Sequence, residues 1–150
     1  MASNRHLGRI LAFQSLFEYD FRVGFPDLET NLDEIIDRNL ERYEEAVEDK
    51  SFVRELVHGV VAQLEVIDAM LQPIAPNWPL REIGRPDKCI LRMALFELKN
   101  KQSEVPPKVV INEAVELAKA FGSDNSSKFV NGVLGTAYRS LVEGTADEAA

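Results

Sequence analysis

The stretch VPPKVVINEAVELAKAFGSDNSSKFVNGVL, residues 105–134, decides the fold, because it reads as two helices joined at one glycine. Its two prolines end what precedes them and open a helix, since a first helical turn needs no N–H from proline. Apolar residues then recur every three or four positions up to Phe121. Gly122 is predicted to end this helix in the left-handed conformation. The side-chain oxygens of Asp124, Ser126 and Ser127 are predicted to cap the helix that follows.

Helical periodicity extends through most of the chain, and the alternation that is typical of strands never persists beyond a few residues. Helices are predicted over about residues 4–22, 28–48, 51–71, 79–83, 86–99 and 108–121, and again after residue 124. The sequence therefore predicts an all-α protein of about seven helices.

Three prolines between residues 73 and 79 predict a linker, with Trp78 as its apolar anchor. This linker is our candidate boundary between an N-terminal helical half, about residues 4–72, and a C-terminal half, about residues 77–143. The small and acidic residues 144–150, GTADEAA, are predicted to form a disordered tail.

The composition is typical of a cytoplasmic globular protein. The 150 residues, 45% of them hydrophobic, suffice for one core or for two small subdomains that share one. The sequence has no apolar run of about 18 residues and no signal-peptide pattern, so we expect a cytoplasmic protein without membrane contact. Cys89 has no partner for a disulfide, and two distant histidines form no cluster. We therefore expect neither a metal site nor a cofactor.

Charge is distributed unevenly along the sequence. Residues 27–49 contain ten acidic and two basic residues, a net charge of −8 that equals the net charge of the whole chain. Residues 85–139 contain nine basic and six acidic residues, a local charge of +3. The acidic segment is expected to be a solvated surface that repels polyanions, and a phosphate-binding face is expected elsewhere.

Four sequence strings resemble the NusB family of transcription antitermination factors. They are RHLGRILAFQSLFEYDF at residues 5–21, GRPDKCILRMALFEL at 84–98, PPKVVINEAVELAKAFG at 106–122 and KFVNGVL at 128–134. The resemblance extends from about Arg5 to about Tyr138. It implies that the helices form two small three-helix bundles around a shared core.

The resemblance also implies RNA binding through four positions, Arg5, His6, Arg9 and Lys128. The family usually has a denser arginine cluster at the start, which Leu7 and its neighbouring glycine interrupt here. If about three cations reach phosphate, the log–log salt slope for a single strand is about −2, which is typical of weak binding. The chain alone is therefore expected to bind RNA poorly.

Recognition of single-stranded bases needs stacking and edge hydrogen bonds in addition to phosphate contacts. Phe17 and Phe129 are stacking candidates if they are exposed, and core residues otherwise. Asn131 is a candidate to read a base edge or to cap a neighbouring helix. The predicted RNA-binding set is Arg5, His6, Arg9, Phe17, Lys128, Phe129 and Asn131.

The NusB resemblance implies a protein partner, NusE, which is also a small-subunit ribosomal protein. NusE is basic, and the matching helices of this chain place Glu82, Asp87 and Arg92 among its contacts, with charge steering association. The implied function is a heterodimer that binds the boxA element of ribosomal RNA leader transcripts. This complex joins elongating RNA polymerase, suppresses termination and supports rRNA maturation.

No catalytic motif accompanies these features, since the sequence lacks a Gly-rich phosphate loop, GxSxG, HExxH and CxxC. The expected protein is therefore not an enzyme. Two alternatives stay open: a protein adaptor that has lost RNA binding, and a stand-alone relative of the RNA-binding domain of rRNA cytosine methyltransferases. The sequence also leaves self-association open, so a homodimer remains an alternative.

Overall fold

The computed structural model of the chain describes residues 2–143, and it describes side chains over residues 5–141. Across residues 2–143 it has seven α-helices and no strand, which confirms the all-α prediction. The helices are α1 Ala2–Val23, α2 Leu32–Arg42, α3 Lys50–Ala62, α4 Leu64–Ile74, α5 Arg85–Asn100, α6 Pro107–Phe121 and α7 Ser126–Tyr138. A short 3-10 helix spans Leu80–Glu82, and a π-helical turn spans Arg139–Glu143. The tail predicted at residues 144–150 lies outside the described residues.

The described residues form two compact units, which divide between Val61 and Ala62. In the first unit α1 packs against α2, and in the second α5 packs against α4, α6 and α7. Helix α4 thus belongs to the second unit, whereas the sequence placed it in the N-terminal half. A paired salt bridge contributes to the α4–α5 contact: Arg92 on α5 donates from Nε and Nη2 to the two carboxylate oxygens of Asp68 on α4, at 2.9 and 2.8 Å.

Each unit has an apolar core. The side chains with under 2% of their surface exposed in the first unit include Leu11, Ile36, Val53, Val57 and Val60, and those in the second include Ile67, Leu71, Ile90, Leu91, Leu95, Leu98 and Leu134. Helix α5 is apolar on most sides, and Cys89 is buried in it. Over the residues described, no helix is long and apolar enough to cross a membrane.

A buried polar pair joins α1 to α2 in the first unit. Ser15 Oγ donates to the Leu11 carbonyl at 2.8 Å and accepts from Asn39 Nδ2 at 3.0 Å. Both side chains are almost completely buried, at 0% and 4% exposure. Because a buried polar group without a partner is costly, the Asn39 amide depends on Ser15 being in place.

The second predicted helix is shorter than the expected span 28–48. It begins after Asn31, whose Oδ1 accepts from the Glu34 N–H at 3.1 Å. It ends at Tyr43, which leaves helical geometry at φ −126° and ψ 28°. Tyr43, at this end, is exposed. The Asn31 cap and the turn at Tyr43 therefore set the ends of the helix, although the apolar periodicity of the sequence continues past both.

The third predicted helix, 51–71, is two helices in the structure. Gln63 interrupts it with φ −112° and ψ 19°. The side-chain oxygen of Gln63 accepts from Asn100 Nδ2 at 3.2 Å and from Lys99 Nζ at 3.4 Å. These bonds tie the break to the end of α5. The apolar period continues across the break, which is why the sequence pattern concealed it.

The turn between α6 and α7 needs a glycine for a reason different from the predicted one. Gly122 has φ −93° and ψ −170°, so it is extended and not left-handed. A Cβ there would lie 2.4 Å from Ser126 Oγ and 2.8 Å from the Ala118 carbonyl oxygen. Ser126 Oγ accepts from the Ser123 N–H at 2.8 Å, whereas Asn125 is the cap position and makes no side-chain cap bond. Close packing, and not a positive φ, selects glycine.

Candidate functional site

The N-terminal candidates lie on the first turns of α1, against the start of α3. The guanidinium carbons of Arg5 and Arg9 lie 4.9 and 5.2 Å from the centre of the Phe52 ring. Both distances are within the range of a cation–π interaction. Phe52 therefore holds two of the predicted RNA-binding cations against one aromatic ring.

Gly8 makes this arrangement possible. A Cβ at Gly8 would lie 3.1 Å from Phe52 Cδ1 and 3.4 Å from Val53 Cγ2, tighter than ordinary contact. The residue that interrupts the arginine cluster in the sequence thus lets α3 approach α1 and bring Phe52 to the arginines.

Asp49 completes the charge arrangement at the start of α3. Its Oδ1 accepts from Ser51 Oγ at 2.6 Å and from the Phe52 N–H at 3.0 Å. These two bonds, the first above all, lower the pKa of Asp49, and the nearby positive charge of Arg5 lowers it further. The carboxylate therefore stays ionised, caps the helix and attracts Arg5.

The N-terminal candidates differ in how much of their surface is available. Arg9 is only 3% exposed, whereas Arg5 and His6 are half-buried. Phe17 is also half-buried, and its ring centre lies 6.0 Å from that of Phe13 in a tilted pair. Phe17 thus packs within an aromatic row on α1. Arg5 and His6 present more of their surface to a ligand than Arg9 does.

The C-terminal candidates lie on the first turn of α7. Lys128 and Asn131 are exposed and share a face through i, i+3 spacing. Phe129 does not join them, because its ring packs edge-on against Trp78 with 6.0 Å between ring centres. The structure thus separates Phe129 from the two polar residues with which the sequence grouped it.

Phe129 instead lines an open cleft of about 180 Å³ in the second unit, together with two predicted partner contacts, Glu82 and Asp87. We call it the Trp78 cleft; its lining comprises Trp78, Glu82, Ile83, Gly84, Asp87, Ser123, Asn125, Ser126 and Phe129. Trp78 is 50% exposed. The loop that carries it is held by Gln72, whose Nε2 donates to the Trp78 carbonyl at 2.9 Å and whose Oε1 accepts from the Leu80 N–H at 3.2 Å.

Asp87 is the unusual polar group of the Trp78 cleft. Its Oδ1 is buried, yet it accepts no hydrogen bond from any described residue. A buried oxygen without a donor costs about 1–3 kcal/mol, and more when the group is charged. An incoming N–H donor would remove this cost.

Arg92 is placed differently from the other two predicted partner contacts. Its side chain is only 12% exposed, and both of its bonds to Asp68 hold α4 to α5. Arg92 therefore supports the second unit, and it lies outside the lining of the Trp78 cleft.

Sequence reasoning gave no site role to Phe52, Asp49 or Gln72. Asp49 followed by Ser51 is a local capping pattern that could have been recognised. Phe52 could be found only through its three-dimensional contact with α1, because nothing in the sequence pairs residue 52 with residues 5 and 9. Gln72 acts on the loop through side-chain bonds that no periodicity reveals.

Comparison with known proteins decides the family. A model of the NusB family matches residues 6–139. The chain is 46% identical to the transcription antitermination protein NusB of Chloroflexus aggregans, over 99% of this chain and 96% of that protein. The chain belongs to the NusB family. A NusB of Staphylococcus haemolyticus is 42% identical over 87% of this chain and 96% of its own length.

Solved NusB structures share the fold. The NusB of T. maritima has a TM-score of 0.76 and 31% identity, over 88% of each chain. A chain from the crystal structure of antitermination factors NusB and NusE in complex with dsRNA also has a TM-score of 0.76, with 26% identity over 93% of this chain and 99% of that one. Similarity to NusB proteins thus spans almost the whole chain, including both candidate regions.

Proposed function

We propose that this chain is a transcription antitermination factor that binds boxA-type rRNA leader RNA as a heterodimer with NusE. The complex joins elongating RNA polymerase in the cytoplasm and supports rRNA maturation, and it catalyses no reaction. The observation that carries the proposal is the near-complete match to NusB proteins, one of which was solved with NusE and RNA.

For RNA, Arg5 and His6 in the first unit and Lys128 in the second supply phosphate contacts, and Asn131 supplies hydrogen bonds to base edges. Arg9 contributes mainly indirectly, because it is buried against Phe52 and little of its side chain can reach a phosphate. With about three phosphate contacts the salt slope is about −2, so the chain alone binds weakly. Affinity for RNA then depends on the partner.

On the protein side, the Trp78 cleft receives NusE. A basic or N–H-bearing group of NusE donates to the buried Oδ1 of Asp87, while Glu82 attracts it and Trp78 and Phe129 supply apolar contact. Phe129, predicted as an RNA contact, is reassigned to this protein contact. Arg92 keeps the second unit in shape and contributes indirectly.

Fluorescence anisotropy tests the proposal, with a boxA-like single strand and a scrambled strand, with and without NusE, at several salt concentrations. Selective binding that tightens strongly with NusE is the expected result. Arg5→Ala should weaken RNA binding by the NusE complex and reduce the salt slope by about 0.7, while Lys119→Ala, at an exposed lysine of α6, should leave both unchanged.

A protein adaptor without RNA binding is the second candidate, favoured by the burial of Arg9 and by the net charge of −8. Binding of NusE without any RNA selectivity, and unchanged affinity in Arg5→Ala, would establish it. Failure of both NusE and RNA to bind would refute both functions.

A further inference from the structure

An apolar strip is exposed where α1 ends and the following loop begins. It consists of Phe21, Val23, Phe25 and Leu28, which are 44, 51, 49 and 44% exposed. The Phe21 and Phe25 ring centres lie 5.0 Å apart. Four large apolar residues are thus exposed within eight positions, and two of them are in ring contact, which is a feature of binding surfaces.

The backbone of the strip is ordered by successive turns. The Phe25 N–H donates to the Arg22 carbonyl at 3.0 Å, and the Leu28 N–H donates to the Phe25 carbonyl at 3.0 Å. These bonds fix the loop that carries two of the four apolar side chains. A partner therefore meets a surface whose backbone is already folded, which lowers the entropic cost of binding.

A polar cleft of about 330 Å³ is lined by residues that are next to the strip in sequence. Arg22 follows Phe21, and Glu29 follows Leu28. Glu18 accepts from Arg22 Nε at 2.9 Å and from Arg38 Nη2 at 2.6 Å. The carboxylates of Glu29 and Glu34 also line the cleft, and they form no ion pair within the described residues. They are available to an incoming cation.

The surrounding charge selects among occupants of this surface. The acidic segment, residues 27–49 with a net charge of −8, includes Leu28 of the strip and Glu29 and Glu34 of the polar cleft. Nucleic acid and anionic lipid are repelled by that charge, and a symmetric dimer through the strip would bring two such segments together. A basic segment with apolar residues is attracted and buries the strip.

We propose that the strip and the polar cleft bind a basic amphipathic segment of another protein. Its apolar side chains cover Phe25 and Leu28, and a lysine or arginine within one helical turn of them reaches Glu29 and Glu34. This surface goes beyond the proposed function, because it uses no residue of the Trp78 cleft and none of the RNA candidates.

The test is a titration of the ¹⁵N-labelled full chain with a synthetic helical peptide that carries leucine and phenylalanine on one face and lysine and arginine on the other. Saturable shifts confined to residues 18–38 are expected. Two matched peptides serve as controls, one with every cation replaced by glutamate and one with every apolar residue replaced by serine, and neither should bind.

Variants locate the interaction. Phe25→Ser with Leu28→Ser should raise the peptide Kd by about tenfold, and Glu29→Gln with Glu34→Gln by about fivefold. Val66→Ser, at an equally exposed valine of α4, should change it by less than about twofold. The glutamate pair is exposed and unpaired, so its replacement tests the surface even if the first variant unfolds.

Four results would overturn the proposal. They are absence of saturable binding, shifts spread over the second unit, equal loss of affinity in Val66→Ser, and conversion of a dimer into a monomer by the Phe25/Leu28 change in ultracentrifugation. The last result would assign the strip to a second copy of this chain. Asp87→Asn should leave peptide binding unchanged, so failure here is separate from failure of the NusE proposal.

Discussion

The two candidate regions differ in how fully their polar groups are satisfied. At the N-terminus, Arg5 and Arg9 lie on the Phe52 ring, and Asp49 lies close enough for its pKa to respond to Arg5. In the Trp78 cleft, Asp87 keeps a buried oxygen without a donor. The first region is held by contacts within the described chain, whereas the second leaves one buried acceptor of Asp87 without a donor among the described residues.

This difference indicates where binding energy is available. Organised cations lose little freedom when a phosphate arrives, so in the proposed RNA contact they would favour binding modestly and without rearrangement. A buried carboxylate oxygen without a donor favours a complex in which a partner donates a hydrogen bond to it. NusE binding should therefore be more sensitive to a single substitution than RNA binding.

The largest expected effect comes from breaking the turn that shapes the Trp78 cleft. Gly122→Ala places a Cβ against Ser126 and should lower the free energy of unfolding by about 2 kcal/mol. Gly132→Ala is the matched control, because its Cβ meets nothing within 4 Å and should stabilise α7 by up to about 1 kcal/mol. Chemical denaturation measures both. Equal stability of Gly122→Ala and wild type would show that Ser126 moves aside freely.

Asp87→Asn tests the cleft directly. NusE affinity should fall by about tenfold, because a charged acceptor is lost, while the free chain should change in stability by no more than about 0.5 kcal/mol. Isothermal titration calorimetry and denaturation measure the two quantities. Glu116→Gln on α6 is the control. An equal loss of NusE affinity in this variant would show that the effect of Asp87→Asn comes from net charge alone.

Asp49 sharpens the N-terminal side of the comparison. Asp49→Ala should destabilise the chain by about 1 kcal/mol, since the α3 cap is lost. Asp49→Asn keeps a capping oxygen and should destabilise it by only about 0.3 kcal/mol. Because the folded-state pKa of Asp49 is lowered, its contribution is present above its ordinary pKa and is lost as the pH falls through the lowered one. Denaturation midpoints from pH 7 to pH 2 would show this loss in wild type and not in Asp49→Ala.

The smallest expected effect is that of Phe52→Leu, which keeps apolar volume and removes the aromatic face. RNA affinity of the NusE complex should fall by about twofold to threefold, in line with a partly exposed cation–π pair. The free energy of unfolding should fall less than it would for Phe52→Ala. An unchanged anisotropy titration would mean that the ring does not orient the arginines for RNA.

The most predictable elements were those with strong local signals. Helix α5 was expected at 86–99 and spans Arg85–Asn100, and α6 was expected at 108–121 and spans Pro107–Phe121. In both, a proline at the first turn marks the start, and one apolar face repeats without interruption. Local chemistry and tertiary packing agree there.

The less predictable features depend on side chains that meet across the fold. Asn31 shortens α2 and Gln63 divides α3 from α4 through particular hydrogen bonds, while the apolar period runs on past both. The site candidates Arg5, Glu82 and Asp87 came from family resemblance, and their roles stay predictions. The edge-on contact of Trp78 with Phe129 joins residues 51 positions apart in sequence, so periodicity could not reveal it.

The Ser15–Asn39 pair has a consequence for the length of α1 as a whole. A slide of α1 along α2 by one helical turn, about 5.4 Å, would part these two groups and leave the buried Asn39 amide without Ser15, while Ser15 would keep its bond to Leu11 within α1. Near its start α1 carries Arg5, and at its end it carries Phe21. One hydrogen bond between two small side chains near the middle thus helps to fix the register of α1 against α2. It thereby helps to fix the positions of two surfaces at opposite ends of a 22-residue helix.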